Sequence, residues 1–137
     1  MTDQFELTLL NRRPEIARAQ DELERFATRH ALPNRPLHDV QLAMEEHLTN
    51  VVNHAYQDEQ EHRIKVRFMF KRPELRIEVE DDGRPFNPLE HPTPDLSVPL
   101  DQRPVGGVGV HMMRKSLDGL EYRREKERNI LVMVKRI

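Results

Sequence analysis

The stretch "LAMEEHLTNVVNHAY", residues 42–56, decides how the rest of the chain is interpreted, because it has a helical period and an unusual polar side. At about 100° per residue, Glu46, Asn50 and Asn53 fall within one narrow sector of the helix. The opposite side carries apolar residues, namely Met44, Leu48, Val51 and Ala55. The pattern therefore predicts a helix that packs its apolar side on a sheet or another helix and turns its polar side to a cleft or to water.

The distribution of glycine favours a cleft over a plain solvated surface. All five glycines lie between positions 83 and 119, and three of them form "GGVG" (106–109) at the start of a predicted helix. Clustered glycine lets backbone N–H groups approach a ligand, and a helix N-terminus favours an anion such as phosphate. A purely structural glycine turn is the alternative. The spacing fits neither a P-loop nor a G-x-G-x-x-G dinucleotide fingerprint.

Length and composition limit the possible classes of protein. A chain of 137 residues suits one domain, residues 1–137. With 22 Lys and Arg against 24 Asp and Glu, no basic surface for direct nucleic-acid binding is expected. The absence of cysteine excludes disulfides, thiol nucleophiles and Cys-ligated zinc. No signal peptide and no apolar run near the roughly 18 residues of a membrane span is visible, so we expect a cytoplasmic protein with no membrane partner.

The remaining periodicities predict an α+β fold, a two-layer sandwich of a mostly antiparallel sheet with helices on one face. Strict alternation in "HRIKVRFMF" and "LRIEVEDDG" indicates two strands of a hairpin. Prolines 33 and 36 indicate a loop over 31–39, so the helix with the polar side is expected to begin at Leu37 or Asp39 and to end at Tyr56. The other predicted segments are a strand at 4–11, helices at 13–30 and 106–120, and a closing hairpin whose second strand spans 129–137.

The composition changes abruptly after the second strand of the hairpin. Six of the ten prolines lie between Pro85 and Pro104, and no period of either kind survives there. A long irregular segment inside a compact domain is usually functional or disordered. Residues 85–105 are therefore a candidate functional loop.

Three pieces in this order resemble a known family. They are "EEHLTNVVNHAY" (45–56), "VEDDGRPFNP" (79–88) and "GGVGVHMMRK" (106–115). Together they are similar to the ATP-binding domain shared by gyrase, histidine kinases and mismatch-repair ATPases. The form E-x-x-x-N-x-x-x-H-A-Y and the final "NILVMVKR" most resemble the anti-sigma-factor serine/threonine kinases. The likeness covers nearly the whole chain and implies the Bergerat ATP-binding fold of the histidine-kinase-like ATPases.

The resemblance implies a role for each matching residue. Asn50 would bind Mg²⁺ that bridges the phosphates of ATP, a suitable ligand because Mg²⁺ is a hard ion that takes few protein ligands. Glu46, one turn earlier, would be the catalytic general base that orients an attacking hydroxyl. Asp81 would accept a hydrogen bond from the adenine amino group. The adjacent carboxylates Glu45 and Asp82 are the alternatives in each case, and the family register selects Glu46 and Asp81.

The glycines and the proline-rich segment complete the implied nucleotide site. Gly83 would let the purine approach the backbone, Gly107 and Gly109 would lie against the phosphates, and residues 85–105 would be the mobile ATP lid. Two departures from the family pattern are visible. Pro85 replaces the second glycine of the Asp-x-Gly-x-Gly motif, and Arg128 with Asn129 replaces a Gly-Thr pair in the last strand.

The function implied by the resemblance is an ATP-dependent serine/threonine protein kinase that acts as an anti-sigma factor. Its phosphoacceptor would be a small antagonist protein, with a sigma factor as a further partner and a homodimer expected from the family. One alternative is a non-catalytic, nucleotide-gated binding module. Another is a detached ATPase fragment of the histidine-kinase type. We do not expect a complete sensor kinase, because no histidine-bearing dimerisation helix is visible before the domain in this sequence.

Other residues with reactive or unusual side chains have ordinary explanations. His47 and His54 lack a third ligand at zinc-like spacing and are interpreted as surface or structural histidines. Met112 and Met113 are expected to fill a core or an interface. Arg103, in the proline-rich segment, is a candidate for contact with the γ-phosphate.

Overall fold

In a computed structural model of the chain, which describes residues 3–90 and 107–137, the main elements follow the order predicted from the sequence. They are β1 (Asp3–Leu10), α1 (Pro14–Arg29), α2 (Asn34–His54), β2 (Arg63–Lys71), β3 (Glu74–Asp81), α3 (Gly107–Ser116), β4 (Gly119–Glu125) and β5 (Arg128–Arg136). The strands form one sheet in the order β1-β2-β3-β5-β4, and every neighbouring pair is antiparallel. The predicted α+β class and both predicted hairpins are confirmed.

The core lies between the helices and one face of the sheet. The alternation in β2 buries Ile64, Val66, Phe68 and Phe70, as predicted. On α2 the predicted apolar side is at most 3% exposed at each of Met44, Leu48, Val51 and Ala55. Helix α1 packs on β1 and β2, while α2 packs on β5 and α3 packs on α2. The helices therefore form a single layer that is held on the sheet by apolar burial.

The other face of the sheet carries a network of ion pairs. Arg67 lies 3.2 Å from Glu80, 3.3 Å from Glu78 and 3.7 Å from Glu6. Arg128 at the start of β5 also contacts Glu80, at 3.4 Å. Because these side chains stand on alternate positions to the core residues, the two faces of the sheet differ sharply in character.

Helix α2 begins earlier than the sequence predicted. The loop expected over 31–39 is wrong for its second half, since the helix starts at Asn34 and Pro36 occupies its first turn. Proline is tolerated there because the first four N–H groups of a helix have no intrahelical acceptor. The helix also ends at His54, two residues before the predicted Tyr56.

Only the first part of the proline-rich segment falls within the described residues. Residues 88–90 form one turn of 3₁₀ helix, where an irregular conformation was expected, and the Leu89 N–H donates to Asn87 Oδ1 at 2.9 Å. The remainder of the predicted lid, including Arg103, lies outside the described residues. Within 3–90 and 107–137, no helix is long and apolar enough to cross a membrane.

Candidate functional site

One end of the candidate site is the contact between α2 and the first turn of α3. Gly109 lies so close to Glu46 that a Cβ atom added there would be 1.9 Å from Glu46 Oε1 and 2.0 Å from its Cδ. No side chain could be accommodated at this contact without displacing the carboxylate. Glycine at position 109 therefore leaves room for the Glu46 carboxylate in its present position.

The first turn of helix α3 lies against this carboxylate. It is ten residues long and begins at Gly107, so its unpaired N–H groups and the positive end of its dipole lie in the turn that contains Gly109. Such a terminus stabilises negative charge and is a common site for phosphate. The Glu46 carboxylate and a potential anion site thus lie next to each other.

Asn50 lies one helical turn after Glu46 and has a free oxygen. Its Nδ2 donates to Glu46 Oε1 at 3.3 Å, which leaves Oδ1 without a hydrogen-bond partner among the described residues. An amide oxygen is a suitable ligand for a hard cation such as Mg²⁺. No group of three or more His, Asp or Glu side chains in the described parts of the chain could hold a metal by itself. A Mg²⁺ ion at Asn50 would therefore need further oxygens from a bound phosphate and from water.

The other end of the candidate site is the carboxylate of Asp81, the last residue of β3. Asp81 is only 2% exposed, and its Oδ1 accepts hydrogen bonds from the Gly83 N–H and from Asn129 Nδ2, each at 2.9 Å. Burial raises the pKa of Asp81, and these two donors oppose that rise by stabilising the ionised form. Its second oxygen, Oδ2, has no hydrogen-bond donor within the described residues and so has a free acceptor.

The turn that follows Asp81 is attached to the C-terminus of α2. A Cβ atom on Gly83 would lie 2.5 Å from the Ala55 carbonyl oxygen and 2.6 Å from Ala55 Cβ. The Arg84 N–H donates to the Ala55 oxygen at 2.9 Å, and Arg84 Nε donates to the His54 oxygen at 2.8 Å. These bonds satisfy carbonyls that the helix end leaves unpaired. The resemblance gave Gly83 a role in purine approach, and the atoms that crowd it here belong to α2.

Helix α2 therefore connects the two ends of the candidate site. Nine residues separate Glu46 from Ala55, which corresponds to about 13.5 Å along the axis at 1.5 Å per residue. The pair Glu46 and Gly109 lies near one end of this span, and Gly83 lies at the other. A ligand that contacts both ends must be elongated, with an anionic group near α3 and a hydrogen-bond donor near Asp81.

The alternative carboxylates face elsewhere. Glu45 is exposed and lies toward α1, where its Oε2 accepts from Gln20 Nε2 at 3.2 Å. Asp82 is exposed as well, and its Oδ1 is 3.4 Å from His62 Nδ1. Glu45 also lines the groove between α2 and α3, but it is the Glu46 carboxylate that lies against Gly109.

Asn129 is a functional candidate to which the sequence assigned no role. It is 4% exposed and lies directly across from Asp81 in the β3–β5 register. The alternation of side chains in "NILVMV" could have indicated its burial. Asn129 lies on the same face of the strand as Leu131 and Met133, which are both buried in the core. A polar residue on that face had to be buried and hydrogen-bonded.

His47 is buried directly beneath the polar side of α2. It is 3% exposed, and neither ring nitrogen has a hydrogen-bond partner among the described residues. Burial lowers the pKa of His47 to about 4, so it is neutral at physiological pH. The structural interpretation of this histidine is right, and it does not lie on the surface.

A groove of about 170 Å³ lies between α2 and α3, and both Glu45 and Glu46 contribute to its lining. Its rim carries Leu42, 42% exposed, and Met112, 48% exposed, which are the exposed large hydrophobic residues of the described chain. Met113 beside them is 1% exposed and belongs to the core. Of the two predicted packing methionines, Met113 thus fills the core, whereas Met112 remains open to solvent.

A solved structure shares this architecture. A crystal structure of the RsbU and RsbW domains of a Mycobacterium tuberculosis protein superimposes on 98% of this chain with a TM-score of 0.67. The two sequences are 12% identical, and the chain covers 32% of that larger structure. The likeness establishes the fold of the described sheet and helices.

Comparison of the sequence with curated proteins identifies named relatives. The serine/threonine-protein kinase BtrW of Bordetella bronchiseptica is 29% identical, over 81% of this chain and 78% of that protein. The serine-protein kinase RsbW of Bacillus velezensis is 32% identical, over 70% of this chain and 62% of that protein. The anti-sigma F factor of Clostridium botulinum is 28% identical, over 72% of this chain and 68% of that protein.

The family model described as the histidine kinase-like ATPase domain matches residues 10–135, which include both ends of the candidate site. The matched range extends from the last residue of β1 into β5 and includes every element between them. The chain therefore belongs to the histidine kinase-like ATPase domain family.

Proposed function

We propose that this chain is an ATP-dependent serine/threonine protein kinase that acts as an anti-sigma factor and phosphorylates a small antagonist protein. The observation that supports it most is the junction of Glu46, Asn50 and Gly109, where a carboxylate and a free amide oxygen lie beside a helix N-terminus. Phosphoryl transfer depends mainly on positioning and on neutralising charge. Glu46 and Asn50, one turn apart on α2, supply a base and a cation ligand, and the first turn of α3 supplies an anion site beside them.

In the proposed reaction, ATP donates its γ-phosphoryl group to a serine or threonine hydroxyl. The hydroxyl oxygen forms a bond to the γ-phosphorus, the bond from that phosphorus to the β,γ-bridging oxygen breaks, and ADP leaves. Glu46 accepts the hydroxyl proton. Asn50 Oδ1 would hold Mg²⁺, which would neutralise negative charge on the phosphates, and Gly107 and Gly109 would present backbone N–H groups to the phosphates.

The adenine would occupy the other end of α2. Asp81 Oδ2 is a free acceptor on a buried carboxylate and suits the amino group of adenine. The Gly83 turn, attached to Ala55, would form the edge of the base pocket. Residues 85–105 are proposed as the lid, since they directly follow this turn.

The partner proposals rest on the relatives and on the groove beside Glu46. BtrW and RsbW are named as kinases and the Clostridium protein as an anti-sigma factor, so an antagonist protein and a sigma factor are the proposed partners. The groove with Leu42 and Met112 at its rim leads directly to Glu46. An acceptor protein could bury an apolar side chain there and bring a neighbouring hydroxyl to the base.

A pair of matched substitutions tests the catalytic role. Glu46→Gln keeps the size of the side chain but removes the base, and general-base catalysis typically contributes about 10²–10⁴ in rate. We expect phosphate transfer to a candidate antagonist protein to fall by that factor while ATP binding persists. Glu45→Gln changes the neighbouring carboxylate, which accepts from Gln20 and also lines the groove, and it should keep the wild-type kcat for phosphate transfer even if the KM for the acceptor changes.

The same assay discriminates between the alternative functions. Tight ATP binding by the wild type without transfer to any acceptor would favour the nucleotide-gated binding module. Transfer that produces an acid-labile phosphate would indicate a histidine acceptor, because phosphoserine and phosphothreonine survive acid. Equal transfer by the Glu46 and Glu45 variants would overturn the assignment of the base.

Substitution of Asn50 tests the cation site. Asn50→Ala should abolish Mg²⁺-dependent ATP binding, because the free amide oxygen is lost, and should leave the fold intact, because the residue is only half-buried and faces away from the apolar side of α2. Nucleotide titration with and without Mg²⁺ measures the first effect and urea unfolding the second. A variant that unfolds instead of losing nucleotide selectively would mean that Asn50 is structural.

A further inference from the structure

Three polar side chains form a row across the end of the sheet. Asn129 pairs with Asp81 on β3 and with Arg124 on β4, so all three lie on adjacent strands and on the same face. Asn129 Nδ2 is 2.9 Å from Asp81 Oδ1, and Arg124 NH1 is 3.0 Å from Asn129 Oδ1. Cross-strand neighbours of this kind fix each other's side chains.

The surrounding groups determine the orientation of the Asn129 amide. On one side its Nδ2 faces two acceptors, the Asp81 carboxylate and the Arg84 carbonyl oxygen at 2.8 Å. On the other side its Oδ1 faces donors from Arg124, from the Tyr122 hydroxyl and, at 3.4 Å, from the backbone N–H of residue 86. A flipped amide would direct N–H groups at donors and an oxygen at a carboxylate, so the network permits a single orientation.

Asn129 has no capacity left for a ligand. Both of its N–H donors are used, and its oxygen accepts from three groups although it has two lone pairs. It is also 4% exposed. Any effect of Asn129 on a nucleotide must therefore act through Asp81 and through the backbone of the turn at Arg84.

We propose that Asn129 is the positioning residue that makes this site specific for adenine, because it holds Asp81 Oδ1 and thereby presents Oδ2 to the amino group of the base. This inference rests on the proposed function, in which ATP is the nucleotide. The same amide also fixes the Arg84 carbonyl oxygen, so the carboxylate and the turn that borders the base pocket are held by one side chain.

The electrostatics of Asp81 support this role. Burial raises the pKa of the Asp81 carboxyl, and the hydrogen bond from Asn129 is the largest opposing influence. Loss of that donor would raise the pKa further and favour a protonated carboxyl.

A comparison of ATP with purine riboside triphosphate, which lacks the 6-amino group, tests the proposal directly. A hydrogen bond to a charged acceptor is worth a factor of about 10 or more in affinity, so the wild type should bind ATP at least that much more tightly than the analogue. In Asn129→Ala this ratio should fall toward about 1, through weaker ATP binding and a nearly unchanged Kd for the analogue. The preference for ATP over GTP should shrink in parallel.

Two further variants make the test decisive. Arg128→Ala alters the adjacent residue, which is exposed and pairs with Glu80 at 3.4 Å, and should keep the wild-type ratio. Asn129→Thr retains one hydroxyl donor, should keep part of the ratio, and supplies the measurement if Asn129→Ala does not fold. A wild-type ratio in Asn129→Ala and Asn129→Thr would overturn the role of Asn129. A wild type that binds neither triphosphate would overturn the proposed function itself.

Discussion

The buried His47 makes a quantitative prediction about stability against acid. Its side chain is 3% exposed, and neither ring nitrogen has a partner among the described residues. Burial lowers its pKa from 6.5 to about 4 in the folded state. The replacement of His47 by Leu, which is apolar and of similar size, removes this titrating group from the protein interior.

The sign and size of the effect follow from proton linkage. Above pH 6.5 the imidazole is neutral in both states, and it contributes no pH dependence. Below the unfolded pKa the unfolded chain binds a proton that the folded chain excludes, so folding stability falls by about 1.36 kcal/mol per pH unit until the folded pKa is reached. Between about pH 8 and about pH 4.5 the wild type should therefore lose about 2.5 kcal/mol through His47 alone. His47→Leu should not lose this share.

Urea unfolding at the two pH values measures the difference. Many carboxylates also titrate in this range, so the relevant quantity is the free energy of unfolding of His47→Leu minus that of the wild type, which should grow by about 2.5 kcal/mol on acidification. His54→Gln is the control, since His54 is exposed on the same helix. Stability differences that stay constant between the two pH values would refute the reasoning, because His47 would then titrate equally in the folded and unfolded states.

Three further predictions concern the contacts around α2. Gly109→Ala should strongly lower phosphate transfer, because its Cβ would lie 1.9 Å from Glu46 Oε1 and displace that carboxylate, while the free energy of unfolding in urea should not fall, since the end of the Glu46 side chain can move. Gly83→Ala should lower the free energy of unfolding in urea by about 1–3 kcal/mol, since its Cβ would lie 2.5 Å from the Ala55 oxygen and force a backbone shift. Leu42→Asp should raise the KM for the acceptor protein without changing the Kd for ATP, and an unchanged KM would remove the groove from the proposed function.

Much of the fold followed from strong periodicity. In β2 the buried residues recur at every second position, and in α2 they recur at helical spacing. The kind of element and the side that it buries could therefore be predicted from the sequence. The start of α2 could not be predicted in this way, because proline usually interrupts a helix and Pro36 therefore indicated a loop. In the first helical turn its missing N–H has no consequence, and local sequence does not distinguish that position from a loop.

The candidate site was predictable where it depends on motif spacing, and it was not where it depends on strand pairing. Glu46 and Asn50 are one helical turn apart in sequence, so their neighbourhood was visible. The partner of Asp81 is Asn129, 48 residues away, and only the register of β3 against β5 brings them together. The two glycine contacts also could not be predicted from local sequence. Neither "DDG" nor "GGVG" indicates that Gly83 packs against Ala55 or that Gly109 packs against Glu46.

The position of β5 in the sheet means that the proposed base-binding carboxylate depends on one of the last strands in the sequence. The strand is formed by residues 128–136, yet it is inserted between β3 and β4 and not added at an edge. During synthesis, the carboxylate at the end of β3 therefore emerges from the ribosome long before the amide that orients it. Before this strand is added, the flank of β3 is unpaired and Asp81 lacks the Asn129 amide that orients its carboxylate.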